Sequence, residues 1–381
     1  MDFSFSEEQQ QLQDAITRFI QGDYSFERRK GIIASPEGWS SEVWQGLGDL
    51  GVLAMNVPEA HGGLGYGPVE TLLAMQSVGP ALLCEPLLES AVIATALVRD
   101  FGSREQQAEL LPAMASGERI VVLAHGEAAA RGDAAWVETT VKPSGAGYVL
   151  NGRKAVVLLA PAADELLVSA RSEGAAGVSV FRVPRNTPGL ELRVYPTLDG
   201  RRAAEVTLRD VNVPASACLG TPGAALPAIA RALDIGLAGL CAEALGVMEA
   251  TVNATVEYLK TRHQFGQPIG RFQALQHRTA DMLLQLEQSR SMAYLAAMNC
   301  ALADDGQRNR TLSAAKVVIS NACRFISQQA VQLHGGMGMT DELNVSHFFK
   351  RLMAFELSFG DTDSHLQRFA ELSQRDVPQA A

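Results

Sequence analysis

Few side chains in this sequence stand where they could do chemistry, and the densest group is RHQFGQPIGRFQALQH, from Arg262 to His277. It closes one long apolar-striped segment and opens another, so its backbone falls at a helix start. Free amide N–H groups at such a start, beside a guanidinium fork, match the oxygens of a phosphate. The plainer alternative is a helix hairpin whose polar residues face water. Asp361, Asp363 and His365 alternate as D-x-D-x-H, but no other His, Cys or Asp cluster joins them to complete a ligand set, and no metal is expected. HGGLGYG (61–67) and HGGMGM (334–339) are glycine-rich, yet neither follows a strand and opens a helix as a dinucleotide fingerprint must. The first reads as a flexible connector between helices. There is no GxSxG elbow, HExxH pair or P-loop.

The elements that position these residues are set by a chain of 381 residues, 47% hydrophobic and 19% charged, long enough for two or three buried cores. Its 32 Lys and Arg against 42 Asp and Glu leave a net charge of −10, which argues against a nucleic-acid partner. Five cysteines (Cys84, Cys218, Cys241, Cys300, Cys323) are scattered, with no CxxC pair, as in a reducing compartment. The start, MDFSFSEEQQQLQDAI, is acidic and amphipathic, and no apolar run approaches the roughly 18 residues that span a bilayer. A soluble cytoplasmic protein without a membrane partner is expected.

Three compositional regions follow one another. Residues 1–117 are helical in pattern, with Leu12, Ala15, Ile16, Phe19 and Ile20 on one face and further helices over Val69–Leu83, Leu87–Phe101 and Gln106–Met114. Residues 118–222 hold about six β-branched segments between Gly, Pro and Asn, the signature of a small antiparallel barrel or sandwich. Residues 223–381 return to helical stripes: Leu237 through Leu259, then Leu275, Thr279, Met282, Leu283 and Leu286, then Leu312 through Leu333. These predict a helical bundle. The fold class is α+β, ordered α, β, α, and only the short tail after Asp376 is of low complexity.

R-x-x-F-G-x-P-I-x-x-F-Q-x-x-x-x-x-x-A-D-M, from Arg262 to Met282, resembles the signature of the flavin-dependent acyl-CoA dehydrogenase family, and VQLHGGMGMTDE (331–342) does as well. MDFSFSEEQQQLQD, LGVLAMNVPEAHGGLG and AALPAIARALDIG lie in that family's order, so the resemblance covers essentially the whole chain. FGDTDSHL (359–366) is more similar to the branch of pimeloyl-CoA dehydrogenase small subunits.

The resemblance implies an N-terminal helical domain, a middle β domain, a C-terminal four-helix-type bundle and FAD shared between neighbouring subunits. Arg262 and Phe265 match residues that meet the FAD phosphates and adenosine, and Gln273 matches the Gln after the second Phe. Gln332, Gly335 and Gly336 match the segment given to a neighbour's dinucleotide, where missing side chains let backbone approach. The implied reaction takes an α-proton from an acyl-CoA thioester with a carboxylate and passes the β-hydrogen as hydride to flavin N5, giving a trans-2-enoyl-CoA. An electron-transfer flavoprotein is the implied acceptor.

Several family landmarks are replaced here. The basic Glu of E-G-T-x-x-I-Q-R falls on Asp361, and Asp363 stands at its Thr. The other family position for that Glu falls on Gly236. Asp retracts the carboxylate by about 1.5 Å, a shift that costs about a hundredfold unless the backbone compensates. A capping role is the alternative for Asp361. The motif T-E-P-x-x-G-S-D corresponds to GEAAARGD (126–133), the flavin-stacking Trp of K-W-I-T to Ala155, and a substrate-side Arg to Leu237. Three readings follow: a dehydrogenase of an unusual acyl-CoA with Asp361 as base, a non-catalytic or half-catalytic subunit of a heterotetramer, or a flavin oxidase of the same fold.

Overall fold

The computed structural model describes residues 5–172 and 177–375, so Met1–Ser4 of the N-terminal motif and the tail from Asp376 lie outside the described residues. Helices α1 (Glu7–Asp23), α2 (Phe26–Ala34), α3 (Ser41–Asp49) and α4 (Pro68–Val78) come first. The stretch Leu87–Ala94 is π-helical and runs into α5 (Thr95–Phe101), with α6 (Arg104–Ala115) after it. The strands are β1 (Val121–Ala124), β2 (Thr140–Ser144), β3 (Gly147–Leu158), β4 (Glu165–Ser172), β5 (Val178–Pro184), β6 (Leu190–Pro196), β7 (Arg202–Pro214) and β8 (Cys218–Leu219). Then come α7 (Leu226–Thr261), the two-residue strands β9 (His263–Gln264) and β10 (Gln267–Pro268), α8 (Gln273–Asn299), α9 (Asp305–His334), α10 (Asn344–Leu357) and α11 (Thr362–Arg375). The helix–strand–helix order is as expected. Local code sets several starts: Ser6 with Gln9 and Ser103 with Gln106 form reciprocal capping boxes at α1 and α6.

The chain divides into two compact units. One comprises Lys30–Gly67 and Cys84–Gly236. Its sheet runs β6-β7-β3-β2-β4-β5-β8, and β1 pairs with β4 beside β2. The sheet is not wholly antiparallel, because β1 and β2 both lie parallel to β4. The 12-residue β3 carries the chain back between β2 and β4, which is the crossover a parallel pair needs. β4 is buried from Glu165 to Ala170, so its sequence ELLVSA is a continuous run rather than an alternation. In the same unit PEAHGGLGYG is not a loose connector. Leu64, Gly65 and Tyr66 donate backbone N–H bonds to Ala54, Val57 and Met55, and any side chain at Gly63 would overlap the Val57 carbonyl.

The other unit comprises Met1–Arg29, Pro68–Leu83 and Leu237–Ala381. Its core is the expected stripes: Leu240, Cys241, Leu245, Met248 and Val252 of α7 and Leu312, Ala315, Ile319, Ala322 and Ile326 of α9 are buried. Leu283 departs from its stripe and is 50% exposed, since one residue past Met282 turns about 100° around α8. A Cβ at Gly246 would overlap the Gln76 carbonyl, so α4 meets α7 backbone to backbone. Arg351 on α10 clasps Glu243 on α7 with bonds of 2.7 and 2.6 Å. A stretch of α7 is long and apolar enough to cross a bilayer, contrary to the sequence expectation, but 89% of it is buried inside the protein, as in a core helix.

Candidate active site

After α7 the chain closes a tight hairpin: Arg262 N–H donates to Tyr258 O and Ile269 N–H to Arg262 O, both at 2.8 Å. Phe265 (φ 53°) and Gly266 (φ 77°) make its tip, a pair of left-handed residues that suits glycine and strains an aromatic. Phe265 is also 90% exposed. Its ring meets its own chain edge-on at Phe272, with centroids 6.0 Å apart, and is otherwise left to solvent, so the backbone strain at this position is little offset by burial. Arg262 is exposed and, among the described residues, its guanidinium has no ion-pair partner. Gln273 opens α8, whose start no side chain caps.

The end of α9 lies alongside. The Tyr258 and His334 rings stack at 4.3 Å and 27°, and the Tyr258 hydroxyl donates to His334 O at 3.4 Å. Gly335 (φ 59°, ψ −139°) ends the helix in a conformation reserved for glycine, its N–H on Gln332 O. Nothing lies within 4 Å of a Cβ placed at Gly335 or Gly336, whereas one at Gly338 would meet the Val331 carbonyl at 2.7 Å. The structure thus brings Arg262, Phe265 and Gln273 to the same end of the bundle as Gln332, Gly335 and Gly336.

Asp361 and Asp363 are elsewhere. Asp361 is exposed and caps α11: its Oδ1 accepts the Ser364 N–H at 2.9 Å and its carbonyl the His365 N–H at 3.1 Å. The bond from Ser364 holds its carboxyl below the usual carboxylate range. Asp363 is exposed in the first turn of α11. The preceding loop is strained, with Phe359 at φ 58° and Gly360 at φ 95°, and is held from below. His365 Nε2–H donates to Phe359 O at 2.8 Å while its Nδ1 faces Ser313 Oγ at 3.2 Å. Glu356 accepts from Thr362 N–H (3.1 Å) and Oγ (2.6 Å). Lys316 Nζ donates to the last carbonyls of α10, Phe355 O (2.6 Å) and Glu356 O (3.2 Å). Sequence reading missed Glu356 and Lys316. The available signal was a lysine placed four residues after Leu312 and three before Ile319, on an otherwise buried stripe. From Ser313 to Gly335, α9 rises about 33 Å at 1.5 Å per residue, so one chain does not bring Asp361 together with its own Gln332.

In the unit that holds the sheet, the segments 126–133 and 154–157 adjoin: Ala155 N–H donates to Gly126 O at 2.8 Å. Lys154, fully buried, donates to Glu127 Oε1 (2.6 Å), Ser169 Oγ (2.9 Å) and His125 O (3.3 Å). Burial pulls the Lys154 ammonium down to about 8 despite Glu127. Burial raises Glu127, but its bonds from Lys154, Thr139 and Glu138 outweigh that and hold it low. Val156, 59% exposed at φ 50°, sits in the β3 bulge.

His125 supplies a pH test of this cluster. Burial, then the Lys154 charge, lowers it to about 4 from 6.5. Between those values the unfolded chain takes up a proton that the folded one refuses, so stability falls with acid, by about 3 kcal/mol across the window. We expect urea midpoints of the His125→Gln variant to vary less between pH 6.5 and 4 than those of the parent; equal slopes would refute this origin.

Comparison with known proteins gives a consistent picture. Residues 6–118, 123–211 and 226–373 match the sequence models of the acyl-CoA dehydrogenase N-terminal, middle and C-terminal domains. The chain is 32% identical over 326 residues, 83% of its length and 78% of the relative's, to the mitochondrial short-chain specific acyl-CoA dehydrogenase of Rattus norvegicus. Among solved structures it is similar to a variant of the Tcur3481-Tcur3483 steroid ACAD, with TM-score 0.86, 30% identity and coverage of 97% and 98% of the two chains. It is likewise similar to the ChsE4-ChsE5 complex from Mycobacterium tuberculosis, with TM-score 0.88, 26% identity and coverage of 99% and 100%.

Proposed function

The chain belongs to the acyl-CoA dehydrogenase family, FAD-dependent oxidoreductases acting on acyl-CoA thioesters, and from that premise we propose that it dehydrogenates a bulky or otherwise unusual acyl-CoA to the trans-2-enoyl-CoA within an oligomer whose subunits share each flavin. The observation that carries this is the bundle end. A guanidinium without an ion-pair partner among the described residues, an uncapped helix start and glycines with open space around them converge there, with a strained phenyl exposed beside them. These donors fit a dinucleotide diphosphate. Arg262 pairs with the phosphates, Phe265 packs on the adenosine, Gln273 and Gln332 donate, Gly335 and Gly336 admit backbone, and Asp363 faces the flavin from the start of α11. FAD, when bound, supplies the hydride acceptor. Asp361 receives the α-proton. Alanines at 128–130 and at 155 favour a wide acyl group over a plain straight chain, as does the likeness to a steroid dehydrogenase. An electron-transfer flavoprotein as acceptor and a cytoplasmic setting complete the reading, and the buried free thiols of all five cysteines suit a reducing compartment.

One observation favours a second reading, the half-catalytic subunit: Asp361 is already engaged by its own helix and held at low proton affinity, the reverse of what tunes a strong base. The visible spectrum of the purified chain discriminates between the two. A band at about 450 nm, bleached by an acyl-CoA, supports the first. A colourless chain that gains activity only with a homologous partner supports the second. A folded chain binding no flavin in either state defeats both.

A further inference from the structure

We propose that Tyr258 and His334 are a positioning pair that fixes the spacing between the two dinucleotide-binding segments, Arg262–Gln273 and Gln332–Gly336; this rests on the FAD site proposed above. The two segments hang from the last turns of helices of 36 and 30 residues, the place where helices fray. A flexible dinucleotide diphosphate already loses torsional freedom on binding, so donors whose separation is fixed before it arrives spare a second ordering cost.

The structure supplies a continuous set of contacts from one segment to the other. Arg262 N–H bonds to Tyr258 O, the Tyr258 ring lies on the His334 ring, and the Tyr258 hydroxyl reaches the His334 carbonyl immediately before Gly335. His334 is 4% exposed and its Nδ1 donates to Ala330 O at 2.8 Å, which fixes both the tautomer and the plane the ring presents to Tyr258. Burial lowers its proton affinity, with the Ala330 bond opposing. Beyond it, Gly338 packs against the Val331 carbonyl and leaves the turn no slack. Removing either ring therefore frees one segment against the other without touching a group that meets the ligand.

The test uses the full chain in its native assembly, deflavinated, with FAD and ADP as calorimetric probes. Tyr258→Ala and His334→Ala are each expected to weaken both ligands about tenfold. The double variant should be little weaker than either single one, as for two residues acting as one unit. Tyr258→Phe, which keeps the stack, should restore binding to within about threefold of the parent. Thermal melts show whether each variant is folded at the assay temperature, and a purely structural pair lowers the melting temperature while leaving affinity unchanged. Parent-like affinity in folded Tyr258→Ala, or losses that simply add in the double variant, overturns the pairing. Failure of the parent to bind either probe overturns the FAD reading itself, and the pairing with it.

Discussion

Asp361→Asn is expected to lower acyl-CoA-dependent flavin bleaching by about a thousandfold, within the range a positioned general base supplies, while fold and FAD content stay as in the parent. The substitution is unusually clean because asparagine caps a helix as well as aspartate does. The Ser364 N–H keeps its acceptor, and what disappears is the charge and the ability to take a proton. Asp361→Ala removes both functions and is expected to cost about 1 kcal/mol of stability besides, so comparing the two variants separates chemistry from capping. Because Ser364 holds the carboxyl below its usual range, the base is ionised at neutral pH and turnover should not fall in mild acid on its account. Stopped-flow bleaching measures the effect. Undiminished bleaching in the Asn variant removes Asp361 from the chemistry and assigns the α-proton to another base.

Lys154→Met is expected to destabilise the sheet-bearing unit by about 3–5 kcal/mol, the cost of leaving a buried carboxylate without its cation. Glu127 would keep its bonds from Thr139 and Glu138 but lose the 2.6 Å contact that neutralises it. The double variant Lys154→Met with Glu127→Gln should recover most of the loss, since it is the unpaired charge rather than the missing pair that is costly. Urea midpoints of the single and double variants decide this. A single variant within about 1 kcal/mol of the parent would mean that water reaches Glu127.

How much of this was legible in the sequence depended on whether the deciding contacts were local. The apolar stripes of α1, α7 and α9 are one-turn patterns and were readable. The π-helical Leu87–Ala94 was not, because all of its residues are buried and no periodicity remains to show which turn is widened. Parallel β1 was not readable either, since its partner Glu165 lies 44 residues away from Val121. At the site, the motif resemblance named Arg262, Phe265, Gln332 and Gly335, and capping preference correctly offered a helix start at Asp361. The Tyr258–His334 stack joins residues 76 apart, and nothing near either residue announces it. The same holds for Lys316, whose partners on α10 lie 39 and 40 residues away.

The length of α9 has a genetic consequence. With FAD shared as proposed, each chain offers the Asp361 end of that helix to one flavin and the Gln332 end to another. Two alleles, one damaged at each end, then meet in a mixed dimer so that both defects fall on the same centre and the second centre is whole. Placed together on one allele and paired with an intact chain, the same two defects spoil both centres. Complementation between alleles, rather than the severity of either lesion, would decide how much activity such a cell retains.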